Sequence, residues 1–458
     1  MAQPGHGSDC RCHHDRRDRA SVSGFQSVIR SWGGLNARGS DLVAPHAWIA
    51  APAPQQGLVL AHGNGRSYGD SCLNDGGRLI LARGLDRVLA FDRKSGIVTC
   101  EAGVLLDDLL KLAVPAGWFP PVTPGTCFVT IGGALANDVH GKNHHRAGTF
   151  GRHVRAFELV RSDGQRRTCA PDMNPALFAA TIGGMGLTGL ITQVTLQLMA
   201  VDSAEMSQEV VHFDGLDRFF EIAAQSDSTH EYTVAWIDAL ARGPAFGRGV
   251  FFRANHAPAS QRPPSRPRQS LPFPVRPPVP LINGLTLRAF NLLYRSMQPR
   301  SSQPRLISYR PFFYPLDRVR DWNRAYGPKG LRQFQCAIPM AHARDCVDEM
   351  LRRTQAAGEA SFLTVLKLFG DVPSPGMMSF PVAGATLTLD FPYRGTRTDR
   401  LLDELDRITI TAGGRVNPYK DARMSPATFE ASFPRWRDFA GHIDPGFSSS
   451  FWRRVTAS

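Results

Sequence analysis

The chain has 458 residues, a formal net charge of +13 and 42% hydrophobic residues. That length exceeds what one core fills, so two domains are expected, and the balance of residue types excludes a disordered or collagen-like chain. No apolar run approaches the ~18 residues that cross a bilayer, and the aromatic–basic interleaving of a single-strand nucleic-acid binder is missing.

The charge points to an anionic partner, an acidic membrane surface or a phosphorylated substrate, with nucleic acid ranked last. Part of it is local, in Arg11, Arg16, Arg17 and Arg19 and in Arg262, Arg266, Arg268 and Arg276, where a solvated segment is the plainer reading. Residues 1–24 read as a disordered tail. Cys10-Arg11-Cys12-His13-His14 has metal-binding residue types but no hydrophobic support, so a tail is preferred there to a metal site. The eight cysteines are scattered in a chain too large to need a disulfide framework. The N-terminus lacks the apolar segment of a signal peptide. A cytoplasmic protein, peripheral on the inner membrane face at most, is expected.

Residues 25–200 read as a first domain. Leu58-Val59-Leu60, Leu79-Ile80-Leu81 and Gly96–Glu101 are strand-like, Leu105–Ala113 reads as a helix, and Leu190–Leu198 alternates like a half-buried strand. Many short strands with few long helices indicate an α+β fold. Residues 201–410 form a second unit, with a Pro/Arg/Ser-rich insert at 258–280 read as a mobile surface loop. An aromatic stretch (Tyr309–Tyr314), a helix (His342–Ala357) and strands at Phe362–Phe369 and Ala385–Phe391 follow it. Residues 411–458 form a compact final segment.

Two glycine loops stand out. Gly63-Asn64-Gly65-Arg66-Ser67-Tyr68-Gly69-Asp70 follows an apolar strand, and its glycines permit backbone N–H groups to converge on an anion such as a pyrophosphate. A structural turn is the alternative. The second runs through Gly125, Thr130, Ile131, Gly132 and Gly133 to His140-Gly141-Lys142-Asn143-His144-His145. That density of donors suits cofactor or substrate contact. His140, His144 and His145 could instead ligate a metal, but Gly141 and Asn143 disfavour the helix that an i, i+4 pair needs, and no metal is assigned. Gly184-Met185-Gly186-Leu187-Thr188-Gly189 matches a dinucleotide fingerprint, yet a strand follows it where a helix is required. A tight turn is expected there instead.

These loops, with Trp322–Pro328, Lys367-Leu368-Phe369-Gly370, Asp390-Phe391-Pro392 and Lys420-Asp421, resemble the vanillyl-alcohol-oxidase-like (PCMH-type) flavoproteins, and most closely the decaprenylphosphoryl-β-D-ribose 2′-oxidases among them. The resemblance runs from about residue 60 to the C-terminus. It implies a two-subdomain FAD-binding domain over 25–200, a substrate domain built on an antiparallel sheet over 201–410, and a return of 411–458 to the flavin domain. It implies FAD contacts from both loops, Ile191 and Asn417. Many relatives carry a covalently linked histidine where this chain has Arg66, so the FAD is expected to be non-covalent. Thr388 stands where mycobacterial members carry a cysteine that is not catalytic.

By the same resemblance, Lys420 lies beside the reacting hydroxyl, as base or as orienting group, with His140 and Tyr68 as further catalytic candidates and a surface lysine as the bland alternative. Trp236, Gln333, Gln335, Lys367 and Thr388 would hold a lipid-phosphate-linked pentose, and a separate NAD(P)-dependent reductase would complete an epimerisation. An aldonolactone or alditol oxidase and a non-catalytic polyprenyl-phosphate-binding protein are the competing readings.

Overall fold

The computed structural model describes residues 29–52, 58–259 and 271–457. Cys10–His14, the N-terminal arginines and residues 260–270 of the expected insert lie outside them.

The first part of the chain builds two main sheets. In a small parallel sheet, β1 (Asp41–Val43) and β2 (Val59–His62) flank β3 (Arg78–Leu81). The larger, antiparallel sheet comprises β4 (Val88–Asp92), β5 (Ile97–Glu101), β6 (Val154–Val160), β7 (Arg166–Cys169) and β8 (Leu190–Gln197), in the order β4-β5-β8-β6-β7. The central β8 buries its residues on both faces near its start and alternates toward its end, in keeping with its place mid-sheet. Helix α1 (Leu106–Ala113) packs Leu106, Leu109, Leu110 and Ala113 inward, and Asp107 and Asp108 complement the positive end of its dipole.

The second part forms an eight-stranded antiparallel sheet from β9 (Glu205–Phe213), β10 (Tyr232–Ile237), β11 (Gly249–His256), β12 (Arg305–Ser308), β13 (Leu331–Pro339), β14 (Val365–Phe369), β15 (Gly384–Pro392) and β16 (Arg415–Val416). Its order is β12-β9-β11-β10-β14-β15-β13-β16. Helices α2 (Leu216–Asp227), α4 (Met340–Ala356) and α5 (Thr396–Thr411) cover one face. Helix α3 (Gly284–Met297) lies on the other, against Trp236. The α+β class and the antiparallel sheet of the second part agree with the sequence reading.

Strand alternation sorts this sheet into two chemistries. Phe334, Cys336, Leu366, Leu387 and Leu389 enter the helix-covered core. Gln333, Gln335, Lys367 and Thr388 point to the opposite face. The register sets Gln335 opposite Thr388 and Gln333 opposite Asp390. Part of the expected insert pairs locally, since Leu271–Pro272 runs parallel to Val319–Arg320. The final segment returns to the first: Gly446 and Ser448 bond across Val59, and Arg454 pairs with Asp70 at 2.7 Å. No helix among the described residues is long and apolar enough to cross a membrane.

Candidate active site

A cavity of about 810 Å³ lies where both large sheets and both glycine loops meet, a size typical of cofactor and substrate pockets. Gly63, Asn64, Gly65, Arg66, Ser67 and Tyr68 of the first loop line it, as do Gly125, Thr130, Gly132, Gly133, His140, Gly141 and Lys142 of the second. Ile191, Trp236, Gln333, Gln335, Lys367, Thr388, Asn417 and Lys420 complete the set. Twenty-one expected positions, scattered over the chain, therefore line one cavity.

Four others stand behind the cavity wall. Gly69 is packed so tightly that an added Cβ would sit 1.5 Å from the Asp421 carbonyl oxygen. Asp70 is engaged by Arg454, and Ile131 lies in the core. Asn143 donates to the Pro121 carbonyl at 2.8 Å and to Glu231 at 2.9 Å. These positions brace the loops from behind.

The first loop meets the last segment through backbone. Tyr68 N–H donates to the Tyr419 carbonyl at 2.9 Å, which sets the Lys420 ammonium 4.1 Å from the Tyr68 ring centroid. Burial lowers the Lys420 pKa to about 8, against an opposing pull from Asp390. Asp390 is itself raised by burial and accepts a hydrogen bond from Gln333. Burial, followed by mutual repulsion among the lysines, lowers Lys367 to about 7 and Lys142 to about 7. Each donates to a carbonyl, Gly141 and Phe312 respectively.

An amide chain fixes the tautomer of His140. Tyr419 N–H donates to Asn417 Oδ1 at 3.0 Å, so the Asn417 amide nitrogen must face outward. It donates to Gln335 Oε1 at 3.0 Å. Gln335 Nε2 then donates to His140 Nε2 at 3.0 Å, which places the histidine proton on Nδ1. Burial, with nearby Lys367, depresses the His140 pKa well below its ordinary value, so the ring is neutral.

The three histidines do not converge. His144 packs 4.5 Å from the Phe369 ring and His145 bonds the His230 carbonyl at 3.0 Å. Among the described residues no group of three metal-ligating side chains forms. The fingerprint look-alike is a turn: Met185, Gly186 and Gly189 have φ of 56°, 73° and 140°, β8 follows directly, and Gly186 and Gly189 line the cavity.

Several wall residues escaped sequence reasoning. Asp317, Phe290, Tyr294 and Phe362 also line the cavity, and Asp390 lies against it through Gln333. For Asp390 a signal existed, namely a carboxylate at the polar phase of a strand flanked by Leu389 and Phe391.

The cavity fits FAD. Among the described residues, the N–H groups of Asn64, Gly65, Arg66 and Ser67 meet no protein acceptor, which leaves a run of donors suited to a pyrophosphate. A Cβ on Gly125 would meet nothing within 4 Å, so that backbone is open to a ligand. Lys142, Lys367 and Lys420, half-buried and without ion pairs among the described residues, favour added negative charge.

Residues 49–170 match the family model described as an FAD binding domain. The chain is 36% identical over 411 residues to decaprenylphosphoryl-β-D-ribose oxidase of Mycolicibacterium smegmatis, covering 87% of this chain and 89% of that one. Shorter matches include mouse L-gulonolactone oxidase (31% identity, 32% of this chain and 33% of the relative) and Arabidopsis thaliana cytokinin dehydrogenase 2 (30%, 31% and 28%). The chain thus belongs to the PCMH-type family of FAD-dependent oxidoreductases that includes decaprenylphosphoryl-β-D-ribose oxidase, with FAD as its cofactor.

Proposed function

We propose that this oxidoreductase oxidises the 2′-hydroxyl of a polyprenylphosphoryl pentose, hydride leaving C2′ and a proton leaving the hydroxyl, with its FAD held non-covalently. The observation that carries the reading is the convergence of Lys420, the Gln335–His140 network and two further lysines on one cavity. The extended similarity to a decaprenylphosphoryl-ribose oxidase supports the lipid-linked sugar.

Residues 25–200 would hold FAD, 201–410 the substrate, and 411–458 would bring Asn417 and Lys420 to both. The loop 63–67 would hold the pyrophosphate by backbone donors. Non-covalent attachment is supported by Arg66, which lies 4.2 Å over Trp32 and offers no nucleophile. His62, nearby, is buried and bonded to the Cys72 carbonyl at 2.9 Å. The Cys72 thiol is pushed up to about 12 by burial, so it offers no thiolate.

When bound, FAD supplies the acceptor for the hydride leaving the sugar carbon. Lys420 acts on the other hydrogen. Its neutral amine accepts the hydroxyl proton, and desolvation makes that form accessible near pH 8. His140 cannot serve as this base through Nε2, which already accepts from Gln335; it orients the hydroxyl. Tyr68, whose burial keeps the phenol neutral, supports the lysine with its ring face. Lys367 and Lys142 offer charge to the phosphodiester, and Trp236, Gln333 and Thr388 shape the sugar pocket.

The product would be a keto sugar, passed to a separate NAD(P)-dependent reductase to complete an epimerisation. Mass spectrometry of a polyprenylphosphoryl ribose incubated with enzyme and a dye acceptor tests the reading. Loss of two hydrogens from the sugar supports it. Oxidation of a free aldonolactone or alditol, with the lipid-linked sugar untouched, overturns it.

A further inference from the structure

Residues 239–316 contain twelve arginines and no aspartate, glutamate or lysine. This one stretch carries nearly the whole formal excess of +13. Helix α3 lies within it. Its inner face is accounted for: Leu287 and Asn291 are buried, and Phe290 and Tyr294 wall the cavity. A surface helix ordinarily has a polar outer face. Here Leu285, Leu292, Leu293 and Met297 are 78%, 60%, 59% and 71% exposed. At ~100° per residue, Leu285 and Leu292 lie almost diametrically opposite the Tyr294 face. The segment leading into the helix adds Val275 and Val279, 66% and 64% exposed. Arg288, Arg300 and Arg305 are exposed and, among the described residues, pair with no carboxylate.

We propose that the outer face of α3 docks this enzyme on an anionic lipid bilayer. Leucine and methionine enter the interface between headgroups, and the arginines meet lipid phosphates. A protein partner fits less well, because the patch presents neither the aromatic anchors nor the charge alternation that fix a register. The same helix walls the cavity with its inner face. Docking therefore sets the substrate pocket one helix diameter from the bilayer, so a polyprenyl tail can stay in lipid while its sugar enters. That purpose rests on the lipid-linked substrate proposed above, although the surface is defined by its own residues.

The test is co-sedimentation of the full-length, FAD-loaded protein with vesicles of phosphatidylcholine alone and of phosphatidylcholine mixed with phosphatidylglycerol. Binding to the anionic vesicles only, weakened by salt, is expected. Leu292→Glu with Leu293→Glu keeps good helix formers at exposed positions and should weaken binding on the order of tenfold or more. Arg288→Glu with Arg300→Glu should do the same independently, about fivefold or more for each charge. Flavin absorbance and melting temperature of both variants should match the parent, which separates lost docking from lost folding. Absence of binding by the parent, or parental binding by both variants, overturns the proposal. So does a dimer that dissociates in the leucine variant while vesicles are ignored. Vesicle binding with these signatures but no oxidation of a polyprenylphosphoryl ribose sustains the docking surface and removes the substrate reading alone.

Discussion

Lys420 is held against the Tyr68 ring by a backbone bond two chain segments apart. This makes its role testable by charge and by length. Replacing it by methionine keeps the apolar stem and deletes the amine. We expect kcat to fall ~10²–10⁴-fold, the usual worth of a positioned base, with visible flavin absorbance unchanged. The pH dependence follows from the sign of the shift. Burial lowers the ammonium pKa toward about 8, and the neutral amine is the reactive form. kcat/KM should therefore rise with pH through about 8 and level off above it. A rate that falls over this interval would make the charged lysine the working species, an orienting group only.

Among the elements, the turn that begins at Asn417 governs the site. Tyr419 N–H sets Asn417, Asn417 sets Gln335, and Gln335 sets the His140 tautomer. Asn417→Ala strands a buried amide oxygen of Gln335, at a cost of about 1–3 kcal/mol, and frees Gln335 to flip. Thermal unfolding should record the loss of stability, and KM for the sugar should rise more than for the electron acceptor. Gly69→Ala is harsher, because its Cβ collides with backbone at Asp421. The loop must move, so FAD affinity measured by fluorescence should drop while the eight-stranded sheet stays folded.

How much of this could be read from residues follows from periodicity. Val194–Leu198 and Ala385–Phe391 alternate and emerge within β8 and β15. The glycine loops were legible because few folds need such runs. Helix α3 was not, since apolar residues on both faces erase the 3.6-residue signal. Asp390 belongs to the Asp390-Phe391-Pro392 motif, but its place at the site is not legible there, because only the pairing with Gln333 reveals which face it serves.

At the scale of the whole molecule, the cavity belongs to both sheets and to the final segment. Arg454 ties that segment to Asp70 beside the first loop, so FAD, both sheets and the C-terminus should melt together. Ligand that binds only the folded state adds about 2.7 kcal/mol at a hundredfold excess over Kd. Melting of the FAD-stripped protein should therefore rise with added FAD, and Arg454→Ala should shrink that rise.

What reduces the bound flavin is the most direct measure of this chemistry. The holoprotein can be mixed without oxygen with one equivalent of a polyprenylphosphoryl ribose while its visible spectrum is followed. We predict that the oxidised flavin band bleaches, and that acid precipitation afterwards releases all flavin into the supernatant. A band that stays intact with the lipid-linked sugar yet bleaches with a free aldonolactone would contradict it.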